Sequence, residues 1–183
     1  MTIGIDEVGR GALAGPLVIC CVALNNKVSG LKDSKKLSKI ERLNLYKQIT
    51  NSANFCSFGW VWAHEIDLYG LTKATQIAII RGLRNYRTNK NLSIIIDGNY
   101  NYLKDYAYNT QAIVNADDSI SEVSAASIAA KVVRDNYMTN LDKYFPSYNF
   151  KKNVGYGTKD HINCLKSIGP SKIHRLTFLS KII

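Results

Sequence analysis

Eight consecutive apolar residues, Leu17 to Leu24, limit what this chain can become. The run is rich in Val and Ile, follows a Gly15-Pro16 pair and is far short of the roughly 20 residues that cross a bilayer, so it reads as a buried strand. Residues 2 to 8 read as a preceding strand and Gly9 to Gly15 as a glycine-rich turn, which predicts a hairpin entering the core. Ser38 with Glu41 has the form of a capping box, and Ile40, Leu43, Tyr46 and Ile49 follow at helical spacing, predicting a helix over 39–51. Next come a strand at 55–63 and a helix running to about 88, with Ala74, Ile77, Ala78 and Leu83 on one face. A buried strand at 92–96 ends at Asp97, and a short strand fits 112–114. Ser119 with Glu122 forms a second capping-box pattern, opening a helix to about Lys143 whose Ala125, Ile128, Ala129, Val132 and Leu141 make an inward stripe. A last helix begins after Thr158 and stops at Gly169-Pro170. This order predicts an α/β or α+β architecture, a mixed β-sheet flanked by helices.

At 183 residues, with 46% hydrophobic and 21% charged residues, the chain is expected to form one domain, 1–183, and its composition excludes disorder and a fibrous repeat. Asp6 and Glu7 stand where a signal peptide would be basic, so a soluble, cytoplasmic protein with no membrane association is expected. Cys20, Cys21, Cys56 and Cys164 show no Cys-x-x-Cys spacing and signal neither a zinc site nor a redox pair. The net charge of +10 is uneven: the segment from about 150 to 183 holds seven bases and one acid. A basic soluble domain points to a polyanion, nucleic acid before anionic lipid.

Against that background the acids stand out. Asp6, Glu7, Asp97 and the Asp117-Asp118 pair each lie at the end of an apolar strand or just before a helix. Any one alone reads more readily as the cap of a turn; as a set they point to a cation site, whose hard oxygen ligands favour Mg²⁺ or Mn²⁺. Neighbours in a strand face opposite ways, so Asp6 and Glu7 can share a centre only at a strand end or bulge. Gly9-Arg10-Gly11 lets main-chain groups approach a ligand closely and offers a guanidinium fork, or is merely a tight turn. Asp33 to Ser38 sets Lys35, Lys36 and two hydroxyls beside a helix start, suited to phosphate or to solvation. Among eleven tyrosines, Tyr156 is the one presented between glycines, Gly155 and Gly157.

These blocks resemble ribonuclease HII, the type 2 ribonuclease H. The likeness rests on Gly4 to Gly11, Asp33 to Ser38, His64-Glu65-Ile66-Asp67, Asp97-Gly98-Asn99 and the run Glu122 to Asp135, in order and across nearly the whole chain. It implies an RNase H-like fold with a C-terminal helical extension. The implied activity is metal-dependent cleavage of the RNA strand of RNA/DNA hybrids, and of ribonucleotides embedded in duplex DNA, by a monomer. It also implies four metal ligands, Asp6, Glu7, Asp97 and, counting back from Ser124, Asp117; Asp118 is a live alternative and Asp135 a weaker one, since Ala116-Asp117-Asp118-Ser119 departs from the usual Gly-Asp-Ser. Gly9, Arg10 and Gly11 match the family's ribose clamp, and Tyr156 its junction-sensing tyrosine, with Gly157 where proline is frequent. His174-Arg175 matches a basic block only in part. The related ribonuclease HIII carries an N-terminal extension for which the position of Asp6-Glu7 leaves no room. Two rival readings are a DNA nuclease or resolvase with a similar carboxylate cluster, and a non-catalytic nucleic-acid-binding domain.

Overall fold

Strand β1 (Thr2–Val8) pairs antiparallel with β2 (Leu17–Leu24), the hairpin that the apolar run and the glycine turn require. The computed structural model describes residues 1–84, 86, 92–180 and 182. β3 (Ala53–Val61) adds antiparallel to β2, whereas β4 (Ser93–Asp97) pairs parallel with β1 and β5 (Asn109–Ile113) parallel with β4. The result is a five-stranded mixed sheet of order β3-β2-β1-β4-β5. Alternation along β2 explains its unbroken apolar run: Ile19, Cys21 and Ala23 enter one core cluster, and Cys20 and Val22 another. Helix α2 (Ala63–Leu83) covers the first face with Ala74, Ala78, Ile79 and Leu83. α1 (Lys39–Ser52) covers the second with Leu45 and Ile49, beside α3 (Ser121–Leu141) with Ala125, Ile128 and Ala129. The expected fold class is the one observed. Among the described residues no helix is long and apolar enough to cross a membrane.

The Ser38 capping box forms as expected, with Glu41 accepting from the Ser38 amide at 2.7 Å. The second does not. Ser119 closes a 3-10 turn, its amide donating to the Ala116 carbonyl, and α3 starts only after Ile120 without a side-chain cap. α2 begins eleven residues before the expected stripe and is broken at Gly70, whose φ of 72° interrupts the helix; its expected end near 88 falls outside the described residues. β5 starts earlier than its apolar residues suggest, because its length is set by pairing with β4 from Ser93 and Asn109 onward.

The segment after α3 forms α4 (Phe150–Asn153), α5 (Lys159–Ile168) and α6 (Leu176–Leu179). Thr158 caps α5 and Gly169 ends it, as the sequence indicates. α6 is unforeseen: its first amides, Leu176 and Thr177, donate to the Asp67 carboxylate, and His174 bridges to Ala14 just ahead of it. A third core cluster, with Leu13, Met138, Tyr148, Phe150, Leu165 and Leu179, binds this segment to the glycine-rich turn.

Within it, His161 Nε2 and His174 Nε2 lie 3.0 Å apart, so at least one ring must be neutral. Burial lowers both pKa values, and the neighbouring imidazole adds to this at His174, which is pushed down to about 4. A base with a depressed folded pKa is protonated first in the unfolded chain, so this pair's contribution is full above about pH 6.5 and is lost as pH falls towards 4. His174→Gln should flatten the decline in melting temperature between about pH 7 and pH 5 relative to the parent. Parallel declines would show that the pair does not titrate on unfolding.

Candidate active site

Parallel pairing of Ile5 with Ile96 carries Asp6 and Asp97 to the same end of two adjacent central strands. Ile3 and Ile5 face the α2 side, so Asp6 leaves the strand towards α3 and Glu7 the opposite way. Because Glu7 is one residue from the end of β1, both carboxylates still reach one cavity of about 260 Å³. Asp117 joins them from the 3-10 turn Ala116–Asp118, entered through Asn115 with φ 56°. That turn is tied to its neighbours: the Ala116 amide donates to Asp97 Oδ1 at 2.8 Å, and the Ser124 hydroxyl donates to the Asp117 carbonyl.

Gly9, Arg10, Gly11, Lys35 and Tyr156 line the same cavity. Lys36 and the two alternative ligands, Asp118 and Asp135, lie outside it; the Lys36 ammonium is 2.6 Å from Asp118 on the exposed surface. Asp118 is thereby turned away, and Asp135 pairs with Lys131 at 3.0 Å. The Arg10 guanidinium is directed to the Tyr102 hydroxyl at 2.8 Å.

Burial first, then repulsion from Glu7, pushes the Asp6 carboxyl up to about 8, with a hydrogen bond from Ser127 opposing the rise. Burial likewise raises Glu7, against the pull of Arg10, and burial followed by the charge of Asp97 raises Asp117. Lys35 acts in the opposite direction on both. Among the described residues no three such groups stand close enough to hold an ion as placed. The chemistry of the donor set nevertheless fits a hard divalent cation: four carboxylates line one small cavity, and their crowding is relieved by positive charge.

Two buried arginines shape the rim. Arg134 donates to the carbonyls of Pro16, Ala14 and Val154, and its guanidinium lies 5.2 Å from the centre of the Tyr156 ring. Arg175 donates to Gly15 and, at 2.9 Å, to Arg10. The amides of Leu13 and Ala14 both donate to Gly155, which locks the turn to the loop that presents Tyr156. Ser34, one of the two hydroxyls noted beside Lys35, lines the cavity too; sequence reading gave no role to Ser127 and Lys131, which also line it. A signal existed: Ser124, Ser127, Lys131 and Arg134 recur at helical spacing on one face, interrupting the apolar stretch from Val123 to Val133.

The Ribonuclease HII family model matches residues 3–181. The chain belongs to the ribonuclease HII family. Ribonuclease HII of Campylobacter concisus (strain 13826) is 42% identical over 179 residues, 97% of this chain and 92% of that one. Ribonuclease H2 of Pyrococcus horikoshii OT3 matches in structure with a TM-score of 0.80 and 26% identity, covering 99% of this chain and 96% of that one. Bst-RNase HIII in complex with Mn²⁺ shares the fold at a TM-score of 0.73 and 19% identity, over 92% of this chain and 62% of that one. Members of the ribonuclease HII family are ribonuclease H endonucleases, hydrolases that act on nucleic acid.

The two outer glycines of the Gly9-Arg10-Gly11 turn differ in what surrounds them. A Cβ on Gly9, at φ 86°, would sit 2.1 Å from Arg134 Nε, whereas one on Gly11 meets no protein atom within 4 Å. Gly9→Ala should therefore cost about 1–3 kcal/mol and lower the melting temperature by several degrees. Gly11→Ala should melt like the parent and raise KM for a ribonucleotide-containing duplex. An unchanged melting temperature for Gly9→Ala would refute the packing argument.

Proposed function

We propose that this chain cleaves the RNA strand of RNA/DNA hybrids and single ribonucleotides embedded in duplex DNA, leaving 5′-phosphate and 3′-hydroxyl ends. One observation carries the reading: Asp6, Glu7, Asp97 and Asp117 share a cavity with Gly9-Arg10-Gly11 and Tyr156, so carboxylates and ribose-reading elements face one substrate. The four carboxylates would hold Mg²⁺ or Mn²⁺, which when bound supplies water activation and charge neutralisation at the leaving 3′ oxygen. Asp117 is the fourth ligand in this reading because it lines the cavity and Asp118 does not.

The remaining residues position the substrate. Lys35 reaches the phosphate beside the carboxylates, and Lys36 exchanges Asp118 for a neighbouring phosphate. Among the described residues the amides of Arg10 and Gly11 find no acceptor, leaving two donors at the cavity for a ribose 2′-hydroxyl. Tyr156, backed by Arg134, packs against the following sugar and so marks the RNA-to-DNA junction by shape rather than by base identity. A DNA nuclease or resolvase needs no group that reads a 2′-hydroxyl.

Asp97→Asn should abolish cleavage while leaving duplex affinity within a few-fold of the parent, because it removes a ligand charge and leaves the basic surface in place. Asp117→Asn should do comparable damage. Asp118→Asn should lose only its exposed pairing with Lys36 and keep turnover within a few-fold of the parent. Near-parental turnover by Asp97→Asn at saturating Mg²⁺ would refute the reading, and the reverse order for the two aspartates would move the fourth ligand to Asp118.

A further inference from the structure

Both tryptophans of the chain, Trp60 and Trp62, lie at one place that the proposed chemistry does not use. Trp62 follows β3, and 39% of its surface is exposed, which is unusual for the largest apolar side chain. Its ring is held from behind. Trp60 stacks on it at 5.8 Å with 27° between the planes, and the half-buried Tyr137 of α3 tilts against it at 5.7 Å while meeting Trp60 edge-on at 5.3 Å. Three mutually packed aromatic rings leave Trp62 little freedom, so its outer surface is a fixed platform.

In front of that platform lies a cavity of about 190 Å³, bordered by Pro16, His64, Tyr137 and Lys172. Lys172 and His64 are exposed at its mouth, and no acidic side chain lines it. Its size suits one flat ring and not a helix. A flat face with an ammonium at its edge is the arrangement that single-stranded nucleic acid uses, the base stacking and the phosphate meeting the cation.

The position also fits. Gly11 of the glycine-rich turn lines the candidate active site, and Gly15-Pro16 of the same turn lines this cavity. Lys131 and Tyr137, which border the two cavities, are six residues apart on α3, or about 9 Å along the axis. We infer that Trp62, backed by Trp60 and Tyr137 and edged by Lys172, is a base-stacking subsite for an unpaired strand that runs off the cleavage cavity. The inference rests on the nuclease reading for the direction of the strand, but not for the stacking itself. A duplex keeps its bases paired, so the subsite selects substrates with a frayed end or a single-stranded overhang beside the cut.

The test needs no cleavage. Because the only two tryptophans are both in the cluster, their fluorescence reports it directly. A short all-DNA single strand, titrated in EDTA, should quench that fluorescence, and a blunt all-DNA duplex should quench it much less. By anisotropy of a labelled strand, Trp62→Leu should weaken single-strand binding about tenfold or more, while Trp62→Phe, which keeps a ring, should stay within about threefold of the parent. Lys172→Ala should lower the slope of log K against log salt by about 1. The inference is overturned if Trp62→Leu binds the strand as the parent does. It is equally overturned if the strand leaves the fluorescence unchanged, including the case in which an apolar, proline-rich peptide quenches it instead. Since strand and buffer contain neither ribose nor metal, inactivity in a cleavage assay would count against the nuclease reading alone.

Discussion

The close approach of β1 to the start of α3 is the constraint on which the site depends. A Cβ at Gly4 would stand 2.2 Å from the Glu122 carbonyl carbon, a main-chain atom that has no rotamer by which to yield. Only glycine lets the strand and helix meet at this distance. That contact puts Asp6 against Ser127 and sets Lys131 one turn further along, at the same cavity. Helices bury both faces of the central strands, so charged side chains can leave only at their ends, and the carboxylates collect there.

The second requirement is that the glycine-rich turn keep its shape, for which the buried Leu13 and Ala14 alone offer few side-chain contacts. Arg134 and Arg175 supply that support from within: both are fully buried, neither pairs with a carboxylate among the described residues, and each is satisfied by main-chain carbonyls of the turn and its neighbours. Burial, joined at Arg175 by the charge of Arg134, lowers both pKa values, Arg175 to about 9. Burying two like charges is costly, and several charge-assisted hydrogen bonds per guanidinium offset that cost. The arrangement also leaves positive charge directly behind the turn proposed to receive a phosphodiester backbone.

Much of this was legible in the sequence because it is local. Asp6, Glu7 and Asp97 close apolar strands, the Ser38 capping box fixes α1, and the unbroken run of β2 announces a strand covered on both faces. Contacts between distant segments were not. The count from Ser124 favours Asp117 and leaves Asp118 as an alternative; in the fold Asp117 lines the cavity while Lys36, 82 residues from Asp118, holds the second on the surface. The block His64 to Asp67 turns out to hold structure together: Glu65 accepts from the Trp62 amide and pairs with Arg81 at 2.7 Å, and Asp67 caps α6 across more than 100 residues. Ser119 satisfied a pattern whose geometry a 3-10 turn had already claimed.

The central claim, that one cavity joins metal-dependent hydrolysis to recognition of a single ribose, is tested most directly by two DNA duplexes of the same sequence, one carrying a single ribonucleotide. With Mg²⁺ the protein should cut the ribonucleotide-containing strand at that position, giving a 5′-phosphate and a 3′-hydroxyl. It should leave the all-DNA duplex intact and cut neither in EDTA. Cleavage of the all-DNA duplex at a comparable rate, or cleavage that persists in EDTA, would contradict the account.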